Sequence, residues 1–343
     1  MKDNISRKSN YGHLVESIGN LLESARKQVV RTIDDVLVRT YWESGQKIVE
    51  YEQNGEVRAD YGEALLKRLS MDLSLKYGQG FSRSNLQYMR LLYIKYPKCQ
   101  TLSGKLSWSH YVELLSLSSD LARSFYEKQS LKENWSVREL KRQINSMLFE
   151  RIALSKSKKG VLELARKGQT VQKETDIIKD PYVLEFLNIP RKYQYTEKEL
   201  EQKIIDNLQM FLLELGKGFA FVARQKRITL NNTHYFVDLV FYHTILKCYV
   251  LVDLKVGKIT HQDIGQMNMY LNYFKTEENI GGSNPPIGIV LGAEKDNILV
   301  EYALGGITNK LFVSRYKLYL PDKQQLRRKL LILLEEEEGS KKT

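Results

Sequence analysis

Apolar residues recur every three or four positions through the first 150 residues, as in the run GHLVESIGNLLESARKQVV. This spacing places apolar side chains on one face of a helix and predicts a helical front half. Five of the six prolines lie at or after position 181, so little in this half interrupts a helix. No repeat of fixed length, as in solenoid proteins, recurs along the chain.

The apolar pattern changes after a polar, lysine-rich stretch at residues 152–180, which we interpret as a linker. Beyond it, Thr196 and Glu199 form a capping box for a helix, which is followed by three strands, a helix, a strand, a helix and a strand. We therefore predict an α+β chain of two domains. Residues 1–151 form an all-helical domain, and residues 181–343 form a mixed α/β domain around one sheet.

Three charged residues interrupt the apolar run YFVDLVFYHTILKCYVLVDLKVG at residues 235–257. Asp238 lies in the first predicted strand, and Asp253 and Lys255 lie in the second. Because strand side chains alternate between faces, Asp253 and Lys255 project together while Leu254 points away. Burying unpaired charge in a sheet costs several kcal/mol, so these residues need a reason to be there.

A hairpin centred between Ile245 and Leu246 would supply that reason. It brings Asp238 opposite Asp253, with Cβ atoms about 5 Å apart, where the carboxylates repel unless a cation lies between them. Mg²⁺ commonly binds one or two carboxylates, and Lys255 beside it is placed to activate water or to stabilise charge on a phosphate. The alternative is a structural salt bridge with the lysine between two aspartates.

The same residues resemble the signature of the PD-(D/E)xK nucleases, which is an Asp followed on the next strand by Asp or Glu, one residue and Lys. Here the signature is Asp238 and the run DLK at 253–255. Val237 stands in place of the proline, and Asp replaces the Glu of many relatives. In GQMNMYL, Gln266 and Tyr270 resemble the Q-x-x-x-Y element of RecB-like members, although such a pair also suits ordinary helix surface and core.

Longer stretches extend the resemblance, among them GFSRSNLQYMRLLYIKYP, WSHYVELL and DLKVGKITHQDIGQMNMYL. They are similar to the YhcG-type family, which couples a helical N-terminal domain to a C-terminal PD-(D/E)xK nuclease domain. The resemblance implies a nuclease that hydrolyses phosphodiester bonds of DNA with Mg²⁺ or Mn²⁺. It also implies a bacterial role in genome maintenance or defence.

We expect the metal to be held by oxygens of Asp238, Asp253 and the backbone carbonyl of Leu254. Glu201 is a further candidate, preferred to the other glutamates of its helix because it lies deeper, although a solvated charge explains it equally well. Lys255 is the expected water-activating or charge-stabilising residue. Gln266 and Tyr270 are expected to orient the site or the strand.

Two groups of polar residues are candidates for nucleic-acid contacts. On the strand after the helix these are Arg224, Gln225 and Arg227. In the front half, at the start of a helix that suits a helix-turn-helix, they are Ser82, Arg83 and Asn85. Solubility of an edge strand explains the first group as well, and a helical bundle with polar loops explains the second.

Composition supports a polyanionic partner. The net charge is +12, and residues 1–160 hold 27 Lys and Arg against 18 Asp and Glu.

Cys99 and Cys248 lack C-x-x-C spacing, which favours free thiols in a reducing, cytoplasmic setting over a zinc ribbon. No apolar run approaches about 18 residues, so we expect no signal peptide and no membrane partner.

Two other functions remain open. One is a catalytically inactive DNA-binding or assembly protein on a nuclease-like scaffold, and the other is an RNA-directed nuclease. RNA ranks below DNA because no aromatic RNA-binding motif is present. A second copy of the chain or another protein is a further candidate partner. The chain has no P-loop, so any movement driven by ATP would need a partner.

Overall fold

The computed structural model of the protein describes residues 2–54, 59–190 and 194–339. The chain divides into two compact units. The N-terminal unit comprises Met1–Arg123 and Ser130–Lys141, and the C-terminal unit comprises Ser124–Gln129 and Arg142–Thr343. The interval predicted as a linker, 152–180, contains a helix with three buried residues, Val161, Leu164 and Ala165.

The described part of the front half is helical, as predicted. Its helices are α1 (Lys2–Asn54), α2 (Ala59–Tyr77), α3 (Arg83–Lys95), α4 (Trp108–Leu115), α5 (Asp120–Glu133), α6 (Val137–Asn145), α7 (Leu148–Ala153) and α8 (Lys158–Lys167). The spacing of apolar residues explains the packing, since Leu86, Met89 and Leu92 form one buried face of α3. Leu86 and Met89 pack with Ile48 of α1 and Leu66 of α2 in the core of the N-terminal unit.

The C-terminal unit contains one six-stranded mixed sheet. Its elements in chain order are β1 (Tyr182–Val183), α9 (Glu197–Asp206), α10 (Leu208–Leu215), β2 (Phe219–Leu230), β3 (Thr233–His243), β4 (Cys248–Lys258), α11 (His261–Tyr273), β5 (Ile287–Glu294), α12 (Asn297–Leu304), β6 (Lys310–Lys317) and α13 (Lys323–Gly339). The strand order is β1-β6-β5-β4-β3-β2. The pairs β2–β3 and β3–β4 are antiparallel, and the others are parallel.

Apolar side chains cover both faces of this sheet. On one face, β3 and β4 pack with α9 and α10 through residues that include Leu200, Ile204, Phe211, Phe241 and Val250. On the other face they pack with α11 through residues that include Val240, Leu251, Ile264, Met267 and Tyr270. The sheet is therefore the middle layer of three, which agrees with the predicted α/β architecture.

The predicted register of the central hairpin is confirmed. Leu239 pairs with Val252 and His243 pairs with Cys248, so the hairpin is centred between residues 245 and 246. The ladder between β3 and β4 ends at the Leu239–Val252 pair, one residue before the two aspartates. The acidic residues consequently lie where the two strands cease to pair.

The β2–β3 hairpin continues beyond this point, and we call residues 226–237 the hairpin arm. Pairing runs out to Leu230 and Thr233, whereas the β3–β4 ladder stops at Leu239. The turn residues Asn231 and Asn232 have φ angles of 46° and 62°. Asparagine tolerates this left-handed conformation, which matches the twist of a two-residue hairpin turn.

The helix predicted from Thr196 is in fact two helices, α9 and α10. The predicted capping box is present, because Thr196 Oγ1 accepts a hydrogen bond from Glu199 N. Asn207 separates the helices, and its side-chain Nδ2 donates to the carbonyl of Lys203 at 2.9 Å. This bond offers the backbone an alternative to helix continuation. The two-residue strand β1 was not predicted from the sequence.

A buried ion-pair network lies in the C-terminal unit. Glu214 on α10 accepts hydrogen bonds from Arg151 Nη1 at 2.7 Å, from Val183 N at 2.9 Å and from Arg142 Nη2 at 3.2 Å. Lys179 Nζ donates to the carbonyl oxygen of the same glutamate. Neither Glu214 nor Arg151 exposes its side chain. Hydrogen bonds of the network therefore join α10 to α7 through Arg151 and to β1 through Val183.

Among the described helices, none has a stretch long and apolar enough to cross a bilayer.

Candidate active site

The three charged residues of β3 and β4 meet where the strands separate. Asp238 Oδ2 accepts a hydrogen bond from the backbone N–H of Leu254 at 2.7 Å. Asp253 is only 3% exposed, and its Oδ2 lies 3.0 Å from Lys255 Nζ. The Leu254 side chain is fully buried in the core on the α9 and α10 face, so it points away from the charges as predicted.

Lys255 is surrounded by carboxylates from three elements. Besides Asp253, its Nζ lies 3.7 Å from Glu197 on α9 and 3.7 Å from Asp263 on α11. The sequence analysis did not name Asp263, although it follows Thr260 by three residues in a capping box. That motif predicts a carboxylate at the start of α11, and the end of β4 lies close to it. Lys255 thus joins the strand to both flanking helices.

Glu201 and Gln225 extend the acidic cluster. Glu201 is 3% exposed and forms an ion pair with Arg224 at 3.2 Å. Gln225 Nε2 lies 2.5 Å from Glu201 Oε2 and 3.0 Å from Asp238 Oδ1, so one amide group bridges the two carboxylates. The structure therefore brings Glu201 to the site by way of Gln225, and it pairs Arg224 with that glutamate.

Gln225 reaches these carboxylates because its backbone departs from extended geometry. Its φ angle is 46°, in the left-handed region that non-glycine residues seldom adopt. The β2–β3 register also shifts between Phe221 and Ala223, where an extra residue forms a bulge. Such irregularities redirect side chains next to functional sites, and no sequence signal in this stretch revealed them.

The electrostatics of the site show a surplus of negative charge. Burial raises the pKa of Asp238, against the hydrogen bond from the Leu254 amide. Burial and the nearby Asp238 raise the pKa of Asp253 to about 7, although Lys255 opposes this shift. For Lys255, burial favours a lower pKa, but Asp253, Glu197 and Asp263 outweigh it and the pKa is raised. One ammonium group therefore does not balance the carboxylates around it.

The cluster suits an added cation. Asp253 Oδ2 and Glu201 Oε1 are buried, and a basic side chain lies 3.0 Å from the first oxygen and 3.2 Å from the second. Buried carboxylate oxygens of this kind are ordinary ligands of a hard divalent ion. Within the described residues, no group of three or more His, Cys, Asp or Glu side chains forms a ready-made metal cage. The oxygen donors that are present suit a hard divalent ion that binds few protein carboxylates and keeps several waters.

Gln266 and Tyr270 connect α11 to the strand that carries Asp238. The Tyr270 hydroxyl donates to the backbone carbonyl of Phe236 at 3.1 Å and receives a hydrogen bond from Gln266 Nε2. Tyr270 is fully buried, and burial raises the pKa of its hydroxyl. These contacts fix β3 two residues before Asp238. Such contacts are those expected of a pair that orients the strand, and a part of either residue in catalysis stays a prediction.

Substituting Tyr270 by Phe is expected to lower the free energy of unfolding by about 1–3 kcal/mol, because the Phe236 carbonyl and the Gln266 amide each lose a buried partner. Urea unfolding of wild type and variant measures the difference. Tyr302→Phe is the control, since this tyrosine is 83% exposed and its change is expected to stay within about 0.5 kcal/mol. Equal losses in the two variants would contradict the assignment.

The candidate residues of the N-terminal unit make local contacts. Ser82 caps α3, its hydroxyl accepting from Asn85 N at 3.2 Å. Arg83 forms an ion pair with Glu63 of α2. The side chain of Asn85 accepts from Trp108 Nε1 at 2.8 Å and donates to the carbonyl of Gly80. Helices α2 and α3 are separated by residues 78–82, and a nucleic-acid contact here stays a prediction.

Two family models match the chain in succession. The DUF1016 N-terminal domain matches residues 17–151, and the YhcG PDDEXK nuclease domain matches residues 175–331. The chain is also 43% identical, over 92% of its own length and 92% of the relative's, to the Escherichia coli (strain K12) protein named "Putative nuclease YhcG". The chain belongs to the YhcG family. It combines a DUF1016 N-terminal domain with a YhcG PDDEXK nuclease domain, and its family identifies it as a nuclease-like enzyme.

Solved structures give weaker likenesses to this YhcG family member. A repair endonuclease from Pyrococcus abyssi is 20% identical, with a TM-score of 0.27, over 38% of this chain and 50% of that one. A complex of EndoMS with double-stranded DNA is 15% identical, with a TM-score of 0.26, over 39% of this chain and 51% of that one. The chain thus spans about half the length of these proteins.

Proposed function

We propose that the protein is a metal-dependent nuclease that hydrolyses phosphodiester bonds of DNA. The observation that carries this proposal is the meeting of Asp238, Asp253 and Lys255 at the end of the β3–β4 ladder, where the Asp253 carboxylate is buried. Membership of the YhcG family supports the reaction class. The net charge of +12 supports a polyanionic substrate.

Asp238 and Asp253 would hold Mg²⁺ or Mn²⁺, with the Leu254 carbonyl and Glu201 as further oxygen donors. When bound, such an ion makes its water ligand more acidic and offsets charge on the scissile phosphate. Lys255, held among three carboxylates, is placed to donate hydrogen bonds to the attacking water or to a phosphate oxygen. Gln225 keeps the Glu201 and Asp238 carboxylates in position through its amide.

The test uses supercoiled, nicked and linear plasmid DNA with Mg²⁺, with Mn²⁺ or with EDTA. We expect wild type to cleave DNA with either metal and not with EDTA, and Asp253→Asn to lose at least about 100-fold in rate. The control is Asp296→Asn, because this partly exposed residue caps α12 and asparagine caps equally well. The DNA forms distinguish nicking from digestion at ends.

Three outcomes would contradict the proposal. Binding of DNA by wild type without cleavage under any metal condition would indicate a nuclease fold that serves as a scaffold. Cleavage of a matched RNA much faster than of DNA would keep the chemistry and change the substrate. Cleavage that persists in Asp253→Asn would place the site elsewhere.

A further inference from the structure

The hairpin arm, residues 226–237, has one buried face and one exposed face. Ile228 and Val237 are fully buried in the core that contains α11. Arg227 and Phe236 lie directly opposite each other across the two strands, and their side chains point to the other face. There Arg227 is exposed, and the Phe236 side chain is 45% exposed. A cation and an aromatic ring thus form a pair on the surface of the arm.

This pair lies next to the candidate active site. Phe236 precedes Asp238 by two residues and Arg227 follows Gln225 by two, which corresponds to about 7 Å along each strand. Arg224, on the same strand, forms an ion pair with Glu201. Among the described residues, Arg227 has no carboxylate partner of this kind. Its guanidinium is therefore available to an anion that reaches the site.

The aromatic ring is presented on a fixed backbone. The carbonyl of Phe236 accepts the hydrogen bond from the Tyr270 hydroxyl, and Val237 beside it is fully buried. At the end of the arm, Thr229 Oγ1 and His234 Nδ1 lie 3.0 Å apart and join the two strands. A ring held in this way loses little freedom when a flat partner stacks on it.

We propose that Phe236 stacks on an unpaired base of the substrate while Arg227 contacts the backbone phosphate beside it. This inference rests on the proposed function, because it assigns the substrate of the same site. In a duplex both faces of every internal base are covered by its neighbours. The arm therefore selects DNA in which a nucleotide next to the cleavage position is unpaired, as in single strands, gaps and branch points. Base stacking on aromatic side chains contributes about 1–3 kcal/mol per base.

A binding experiment tests the stacking in the absence of cleavage. A DNA strand with one 2-aminopurine is titrated with protein in EDTA, once as a single strand and once within a duplex. We expect wild type and Phe236→Trp to quench the fluorescence of the single strand, and Phe236→Ala and Phe236→Leu to quench it much less. Tyr302→Ala, which removes an exposed ring of α12, is the control and is expected to match wild type.

A cleavage experiment separates this inference from the proposed function. Gapped and fully paired duplexes of one sequence are compared with Mg²⁺, and wild type is expected to prefer the gapped one. Phe236→Ala is expected to lose about 5- to 160-fold in kcat/KM on the gapped substrate, which is the stacking energy of about 1–3 kcal/mol converted to a rate ratio. Arg227→Ala is expected to weaken binding of both DNAs and to reduce its dependence on salt.

The two experiments distinguish failure of the stacking inference from failure of the proposed function. Equal cleavage of both duplexes by wild type, unchanged in Phe236→Ala, overturns the stacking inference and leaves the nuclease intact. Quenching by wild type that Phe236→Ala lacks, without cleavage of either duplex, supports the stacking surface and overturns the proposed function. Equal quenching by wild type and Phe236→Leu shows that the aromatic ring is not required, and this result also overturns the inference.

Discussion

Lys255→Ala is expected to lower the rate of Mg²⁺-dependent DNA cleavage by about 10²- to 10⁴-fold, the usual contribution of a positioned proton-transfer or charge-stabilising group. The ammonium group lies 3.0 Å from Asp253 and within 3.7 Å of two further carboxylates, so alanine removes the positive charge that these three carboxylates share. Single-turnover cleavage of an end-labelled duplex, with wild type and variant at saturating metal, measures the chemical step directly.

Lys258→Ala is the matched control for this substitution. Lys258 lies on the same strand three residues further on, and its side chain is 54% exposed and paired with Asp296. Its removal is expected to leave the rate within about twofold. A similar loss of rate in the two variants would mean that the strand tolerates no lysine replacement. Lys255 would then have no specific role in cleavage. Circular dichroism of both variants monitors the fold.

Glu214→Gln is expected to destabilise the C-terminal unit by about 3–5 kcal/mol. The substitution keeps the size of the side chain but leaves Arg151 and Arg142 with a neutral partner in a buried position. Removing one member of a buried ion pair costs more than the pair contributes, because the remaining charge is left without compensation. Urea unfolding followed by tryptophan fluorescence and by circular dichroism gives the free energy of unfolding.

An exposed ion pair provides the comparison. Glu163→Gln removes the partner of Lys167, 2.7 Å away on the surface of α8, and both side chains are more than half exposed. Exposed pairs contribute about 0.2–1 kcal/mol, so this variant is expected to unfold nearly like wild type. If the two substitutions cost the same, the network around Glu214 is not a buried ion-pair network in solution.

The cost of Glu214→Gln is also expected to depend on pH. Burial alone favours a higher pKa for Glu214, but Arg151, Lys179 and Arg142 outweigh it and hold the pKa at about 2. In the unfolded chain the pKa returns to its ordinary value of 4.5. The carboxylate therefore stabilises the fold above about pH 4.5, and this contribution is lost as the pH falls toward 2. Unfolding at pH 7, 4 and 3 should show the gap between wild type and variant narrowing.

The sequence predicted those features that depend on periodicity and on capping. The alternation of β3 and β4, and a loop of ordinary length between them, were enough to place Leu239 opposite Val252. Side-chain chemistry in that frame then singled out Asp253 and Lys255, because charges in an apolar strand require a partner. The family assignment followed from longer runs of sequence and is confirmed by the matches over both domains.

Features that depend on local backbone distortion were not predictable. The left-handed φ of Gln225 and the bulge before Ala223 turn a strand residue into a bridge between two carboxylates. Neither position carries glycine, the usual signal for such a conformation. The break between α9 and α10 at Asn207 was not predictable either. The apolar pattern of a helix continues through this residue, but the Asn207 side chain donates a hydrogen bond to the backbone and competes with the helix.

The division of the sheet into an antiparallel half and a parallel half has a consequence for folding. The strands of the candidate active site, β2, β3 and β4, form hairpins whose paired residues are close in sequence. The far edge of the sheet instead pairs Tyr182 with Tyr316, across most of the domain. Because loops of long range close slowly, the hairpins of the antiparallel half can form before that edge is joined. The order of assembly then places the site near the start of folding and the closing strand near its end.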